Sequence, residues 1–156
     1  MRLLRALLVL CVAVTMPACA SSAEQPATSA KNETQITLVL VCDVYKMEAE
    51  SGRGGMARIA AVLKAEKARH ANVLIVHAGD TISPSLMSGF DKGAHIVDLF
   101  NMTPLDVFVP GNHEFDFGPD VFLKRMGEFK ARVLAANLRT ATGQPIPGIA
   151  DSTIVD

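Results

Sequence analysis

The chain has 156 residues, of which 49% are hydrophobic and 20% are charged, and its formal net charge is −1. This balance is typical of one globular domain, and it excludes an intrinsically disordered chain and a multispan membrane protein. Because the net charge is close to zero, with no tryptophan and one tyrosine, we expect neither a basic nucleic-acid-binding surface nor an aromatic platform for single strands.

The amino terminus has the layout of an export signal. Two arginines lie within the first five residues, an uninterrupted apolar run covers residues 6–14, and small residues follow it. The run is far shorter than the roughly 20 residues that a membrane-spanning helix needs. We therefore predict a secretory signal peptide over residues 1–20 and an exported, periplasmic protein.

Two ways of processing this segment stay open. Cleavage after Ala20 would release the protein, whereas acylation of Cys19 would leave it anchored to the membrane as a lipoprotein. Residues 21–35 are rich in Ser, Ala and Thr without apolar periodicity, which predicts a flexible tether. The folded domain is then expected over residues 36–156.

Apolar runs that are typical of strands alternate with helical patterns along this domain. The predicted strands cover 36–42, 73–76, 107–109 and 133–136, and the predicted helices lie around 56–63, 96–100 and 122–129. The order βαβαβαβ predicts an α/β layer with parallel strands. The first run is almost entirely apolar, which predicts a strand buried on both faces. Cys42 at its end is predicted to be a small buried residue rather than a reactive thiol.

Polar segments follow the first three predicted strands, at 43–45, 79–81 and 111–116. The carboxyl ends of parallel strands form the ligand crevice of an open α/β sheet, so these segments are expected to converge. Together they supply two carboxylates, an amide oxygen and an imidazole, a set that suits Mn, Mg, Zn or Fe. A carboxylate that bridges two such cations supports in-line attack on phosphorus.

Several of these residues resemble the motifs of a known family. Asp43, the Gly79-Asp80 corner and the string GNHE at 111–114 are similar to the amino-terminal motifs of calcineurin-like metallophosphoesterases. The longer strings GGMARIAAVL, AGDTISP and GNHEFDFG resemble the 5'-nucleotidase branch of that family. The resemblance implies the amino-terminal portion of a metallophosphoesterase α/β sandwich. It also implies hydrolysis of nucleotide phosphate monoesters at two divalent metal ions, which could be Mn, Zn, Mg, Fe or Ca.

The resemblance also implies a role for each motif residue. Asp43 would bind the first metal, Asp80 would bridge both, and Asn112 would bind the second through its side-chain oxygen. His113 would not be a ligand; it would face the phosphate and stabilise or protonate the leaving oxygen, and Asp116 would hold the imidazole in the required tautomer.

The sequence departs from the family in two respects. Tyr45 stands where the family usually has a histidine ligand, and a phenol with a pKa of about 10 is a poor neutral ligand. The family also completes its metal shells with later histidines, including a Gly-His-x-His segment, and binds the nucleoside in a carboxy-terminal domain. Neither is present here, so the domain over 36–156 is expected to be truncated. His70, His77 and His95 are predicted to be structural or surface residues.

Two alternative functions remain. The chain could be a truncated, non-catalytic exported protein that keeps part of the metal site. It could also be a related enzyme that acts on cyclic nucleotides, other phosphoesters or a sulfur-containing ester. Phe115 and Phe117 are predicted to pack in the protein rather than to stack on a base.

Overall fold

The computed structural model describes residues 33–155. Its strands are β1 (Thr37–Val41), β2 (Val73–His77), β3 (Val107–Phe108) and β4 (Arg132–Val133). Its helices are α1 (Met56–Arg69), α2 (Leu86–Asp91), α3 (Ala94–Phe100) and α4 (Pro119–Glu128), with a 3-10 turn over His113–Phe115. Within these residues, no helix is long and apolar enough to cross a membrane. The predicted signal peptide, Cys19 and most of the predicted tether lie outside the described residues.

The four strands form one parallel sheet in the order β1-β2-β3-β4. Thr37 of β1 lies opposite Val73 of β2, and Val107 of β3 lies opposite Val76. This arrangement confirms the predicted parallel α/β architecture. It also brings the carboxyl ends of β1, β2 and β3 to one edge of the sheet, where the polar segments follow.

One apolar core joins the last two strands to α3 and α4. The apolar side chains of α3 recur at helical spacing, so that Ile96 and Phe100 are both fully enclosed. Phe108 of β3 stacks on Phe129, just beyond α4, with ring centroids 4.1 Å apart. This core fixes the position of β3, and therefore of the loop that follows it.

The prediction that the first strand is buried on both faces is wrong. Leu38 and Leu40 are 63% and 61% exposed, because they lie on one face of β1, and that face has no cover among residues 33–155. Cys42, at the end of the same strand, is exposed rather than buried. A hydrogen bond with Asp43, followed by partial desolvation, raises the pKa of the Cys42 thiol.

Candidate active site

The loops after β1 and β2 meet through their backbones. The N–H of Asp43 donates to the carbonyl oxygen of Gly79 at 3.1 Å. Asp43 and Asp80 both adopt positive φ angles, of 57° and 58°. Such angles are uncommon for residues other than glycine and are concentrated at functional sites. The two aspartates thus end neighbouring strands in the same unusual conformation.

The loop after β3 approaches the loop after β2 so closely that only glycine fits at the contact. A Cβ atom on Gly79 would clash with the backbone of Gly111, and a Cβ atom on Gly111 would clash with the carboxylate of Asp80. At this contact, the N–H of His113 donates to Oδ1 of Asp80 at 3.0 Å. The structure therefore brings Asp80 and His113 together, as the sequence predicted for the strand ends.

Glu114 organises these two loops, a role that the sequence analysis did not predict. Its buried carboxylate accepts hydrogen bonds from the N–H groups of Gly111 at 2.6 Å, Asp80 at 2.9 Å and Thr81 at 2.6 Å. The sequence offered one indication of this role. Glu114 is an acidic residue in a loop segment, and the backbone N–H groups of such loops have no strand partners and need other acceptors.

His77 is fully buried at the end of β2 and connects the same loops to the one after β1. Its Nδ1 accepts from the N–H of Gly79 at 3.0 Å, so Nε2 carries the proton and lies 3.2 Å from Oγ1 of Thr81. Thr81 in turn donates to the carbonyl oxygen of Val44 at 2.5 Å. Burial lowers the pKa of His77 to about 4, so the ring is neutral. The predicted structural role of His77 agrees with this enclosure.

His113 and Asp116 form a second pair of interacting side chains, with Nδ1 and Oδ2 2.7 Å apart. The hydrogen bond with Asp116 raises the pKa of His113. The pKa of Asp116 is lowered by the hydrogen bond with His113 first and by the Ser83 hydroxyl second. Because the carboxylate can only accept, Nδ1 is the donor, and Nε2 is left to exchange a proton with a bound molecule.

The remaining predicted ligands lie in two different loops. Asn112 is exposed and directly precedes the 3-10 turn, and Tyr45 is half-buried in the loop after β1. Within residues 33–155, no three His, Cys, Asp or Glu residues come together as a metal-binding group. The oxygen atoms of Asp43, Asp80 and Asn112 are nevertheless of the type that hard divalent cations prefer. These three residue types thus fit a divalent metal, although they supply only a small number of protein ligands.

Phe115 stacks on Phe122 of α4 with ring centroids 4.3 Å apart, and Phe117 packs against the core. Both contacts agree with the predicted packing role. His70 ends α1 and His95 lies in α3, as expected from the sequence.

Curated relatives of this chain include nucleotidases. Snake venom 5'-nucleotidase from Naja atra is 35% identical over 98 residues, which make up 62% of this chain and 18% of the relative. NAD 5'-nucleotidase from Haemophilus influenzae is 34% identical over 85 residues, or 54% of this chain and 14% of the relative. The chain thus spans less than a fifth of the length of these relatives.

Solved structures share the fold. The Haemophilus influenzae NAD nucleotidase superposes with a TM-score of 0.67 at 26% identity, over 78% of this chain and 27% of that one. The 5'-nucleotidase precursor from Thermus thermophilus superposes with a TM-score of 0.57 at 28% identity, over 65% of this chain and 22% of that one. The calcineurin-like phosphoesterase family matches residues 36–155. With its parallel sheet and the loops at the strand ends, this chain belongs to the calcineurin-like phosphoesterase family.

Proposed function

We propose that this chain supplies the metal-binding and phosphate-binding part of a 5'-nucleotidase-type hydrolase, which removes phosphate from nucleotide monoesters outside the cytoplasm. The nucleotidase names of the relatives support the substrate class. The predicted signal peptide over 1–20 supports the location. The observation that carries the proposal is the hydrogen bond from the N–H of His113 to Asp80, because it joins the proposed bridging carboxylate to the proposed acid.

The motif residues divide the work between metal binding and proton transfer. Asp43, Asp80 and Asn112 would hold two divalent cations, which would supply Lewis acidity and an activated water when bound. His113 would stabilise the phosphate and deliver a proton to the leaving oxygen. Asp116 would keep the imidazole oriented for that transfer.

The proton position follows from the His113–Asp116 contact. Nδ1 donates to the carboxylate of Asp116, so the protonated ring presents its second N–H at Nε2. The raised pKa of His113 keeps a larger fraction of the ring protonated near neutral pH than an isolated imidazole would have. His113 is thereby suited to act as a general acid rather than as a metal ligand.

The first test is hydrolysis of AMP and of p-nitrophenyl phosphate by the purified chain with added Mn²⁺. We expect activity that is lost in Asp80→Asn and in His113→Ala. Asp98→Asn is the control, since Asp98 is an exposed carboxylate on α3. Hydrolysis that survives in either site variant would overturn the proposed roles.

A non-catalytic metal-binding protein is the second candidate. It is favoured by the absence of three clustered metal-binding side chains within residues 33–155 and by Tyr45 at the usual histidine position. Calorimetric titration with Mn²⁺ separates the two candidates. Mn²⁺ binding that requires Asp80, without any hydrolysis, would support the second candidate and overturn the first.

A further inference from the structure

Thr81 is a fully buried residue that joins the loops after β1, β2 and β3, which are the three site loops. Its hydroxyl donates to the carbonyl oxygen of Val44, in the loop after β1, at 2.5 Å. Its backbone N–H donates to the carboxylate of Glu114, in the loop after β3, at 2.6 Å. Thr81 itself lies in the loop after β2, directly after Asp80. One residue therefore connects the loops that follow three neighbouring strands.

The hydrogen bonds around the Thr81 hydroxyl run in one direction. Nδ1 of His77 accepts from the N–H of Gly79 at 3.0 Å, so the ring proton is on Nε2. Nε2 lies 3.2 Å from Oγ1 of Thr81, and the hydroxyl oxygen accepts that proton. The single hydroxyl proton then goes to the carbonyl oxygen of Val44, which can only accept. Each donor in this series thus has a partner, and the Thr81 hydroxyl is its central member.

His77 connects this series of hydrogen bonds to the hydrophobic core. Its ring is fully buried, lies edge-on to Phe100 with ring centroids 4.6 Å apart, and stacks on Phe108 with centroids 5.3 Å apart. Both phenylalanines belong to the core cluster. Because protein cores are close-packed, the ring has one well-defined position. The Thr81 hydroxyl is held against that ring, and the carbonyl group of Val44 is held in turn.

The consequence falls on Asp43, which directly precedes Val44. The loop after β1 is fastened at two adjacent points, since the N–H of Asp43 donates to Gly79 at 3.1 Å and the carbonyl of Val44 accepts from Thr81. Asp43 has a φ of 57°, a conformation that is uncommon for residues other than glycine. These two hydrogen bonds hold Asp43 in that conformation, next to the loop that carries Asp80.

We propose that Thr81 is a positioning residue, whose hydroxyl holds the Asp43 carboxylate at the distance from Asp80 that the first metal requires. This inference rests on the proposed two-metal function. Divalent cations bind carboxylate oxygens within a narrow range of distances, roughly 2.0–2.6 Å, so a displaced Asp43 binds the metal more weakly. Thr81 acts through Asp43 and takes no part in the reaction itself.

The test compares Thr81→Val with Thr81→Ser in the full chain. Valine has nearly the shape of threonine but lacks the hydroxyl, whereas serine keeps it. Thr103→Val is the matched control, because the hydroxyl of Thr103 also donates to a carbonyl oxygen, that of Phe100, at 2.7 Å. Thr103 lies outside the three site loops. The two valine variants therefore lose the same kind of hydrogen bond, and only one of them loses it at the site.

The first measurement is hydrogen exchange of the Asp43 N–H in metal-free protein, followed by NMR. We expect exchange about tenfold faster in Thr81→Val than in Thr103→Val, because the loop after β1 loses one of its two attachments. Thr81→Ser should exchange like the unmodified chain. Equal exchange in the two valine variants would overturn the inference, since the hydroxyl would then not hold the loop.

The second measurement is calorimetric titration with Mn²⁺. We expect binding about tenfold weaker in Thr81→Val, and the affinity of the unmodified chain in Thr81→Ser and Thr103→Val. Unchanged Mn²⁺ affinity in Thr81→Val would overturn the inference while leaving the proposed function standing. No Mn²⁺ binding by the unmodified chain would instead overturn the proposed function, and faster Asp43 exchange in Thr81→Val would still support Thr81 as the residue that holds this loop.

Discussion

The carboxylate of Glu114 accepts a 2.6 Å hydrogen bond from the backbone N–H of Thr81, although the two residues are 33 positions apart. The same carboxylate binds the N–H groups of Asp80 and Gly111. Hydrogen bonds to a charged acceptor are roughly twice as strong as neutral ones. One buried side chain therefore fastens the loops after β2 and β3 to each other.

Replacing Glu114 with glutamine should destabilise the chain by about 3 kcal/mol. The amide group has one acceptor oxygen where the carboxylate has two, so at least one buried backbone N–H loses its partner. Urea unfolding measures the change. Glu48→Gln, at an exposed position, should stay within about 0.5 kcal/mol of the unmodified chain. Equal stability of the two variants would contradict the role assigned to Glu114.

Gly79→Ala should lower stability by about 2 kcal/mol or more. Gly79 has a φ of +84°, and an added Cβ would meet the backbone of Gly111. Gly89→Ala is the matched control, since Gly89 lies inside α2 with open space around it. That control should stabilise the helix by about 0.5–1 kcal/mol. Thermal unfolding followed by circular dichroism compares them, and a neutral Gly79→Ala would argue against close packing of the two loops.

His77 should make the stability of the chain depend on pH. Its pKa is about 4 in the folded state, against 6.5 for an ordinary histidine, so the unfolded chain binds the proton more tightly. The contribution is complete above pH 6.5 and is lost as the pH falls toward 4, by roughly 3 kcal/mol in total. His77→Asn, which keeps an acceptor for Gly79, should flatten the unfolding free energy over this window.

His70→Asn is the control for this measurement, because it removes a histidine at the end of α1, where the side chain is not enclosed. It should retain the pH dependence of the unmodified chain. A slope that persists in His77→Asn would show that other groups cause it.

Asp116→Asn should lower the pKa of His113 toward that of an ordinary histidine. The Asp116 carboxylate is the main cause of the raised value, and the neutral amide no longer favours the imidazolium. NMR titration of the imidazole signals in metal-free protein measures the shift. Asp120→Asn, at an exposed carboxylate in the first turn of α4, should leave the titration of His113 unchanged. An identical titration in Asp116→Asn would exclude the pair as an acid–carboxylate unit.

Most of the fold could be predicted because the spacing of apolar residues along the chain indicates which side chains are buried. The predicted strands at 73–76 and 107–109 and the helix at 56–63 correspond to β2, β3 and α1. Helix α2 was missed, because its apolar residues Leu86 and Phe90 face solvent and leave no buried stripe in the sequence. The exposed face of β1 was also not predicted, since a continuous apolar run does not indicate whether one face of the strand is covered or both.

The candidate site was predictable only in part. Asp43, Asp80 and His113 lie in the loops that follow β1, β2 and β3, so strand order alone places these loops at one sheet edge. The role of Glu114 was not predicted, and neither were the contacts of His77, because their partners include backbone N–H groups that come within reach only once the loops have folded. The spacing of residues along the sequence does not predict such contacts.

The strands of the sheet lie side by side in the order in which the ribosome makes them. Each new strand can therefore pair with its predecessor as it emerges, and the sheet can grow outward from β1 without waiting for a distant partner. The loop after β3, with Glu114, is the last of the three site loops to be synthesised. Its arrival supplies the carboxylate that accepts from the N–H groups of Asp80 and Thr81, so the loops after β2 and β3 can join before α4 and β4 complete the sheet.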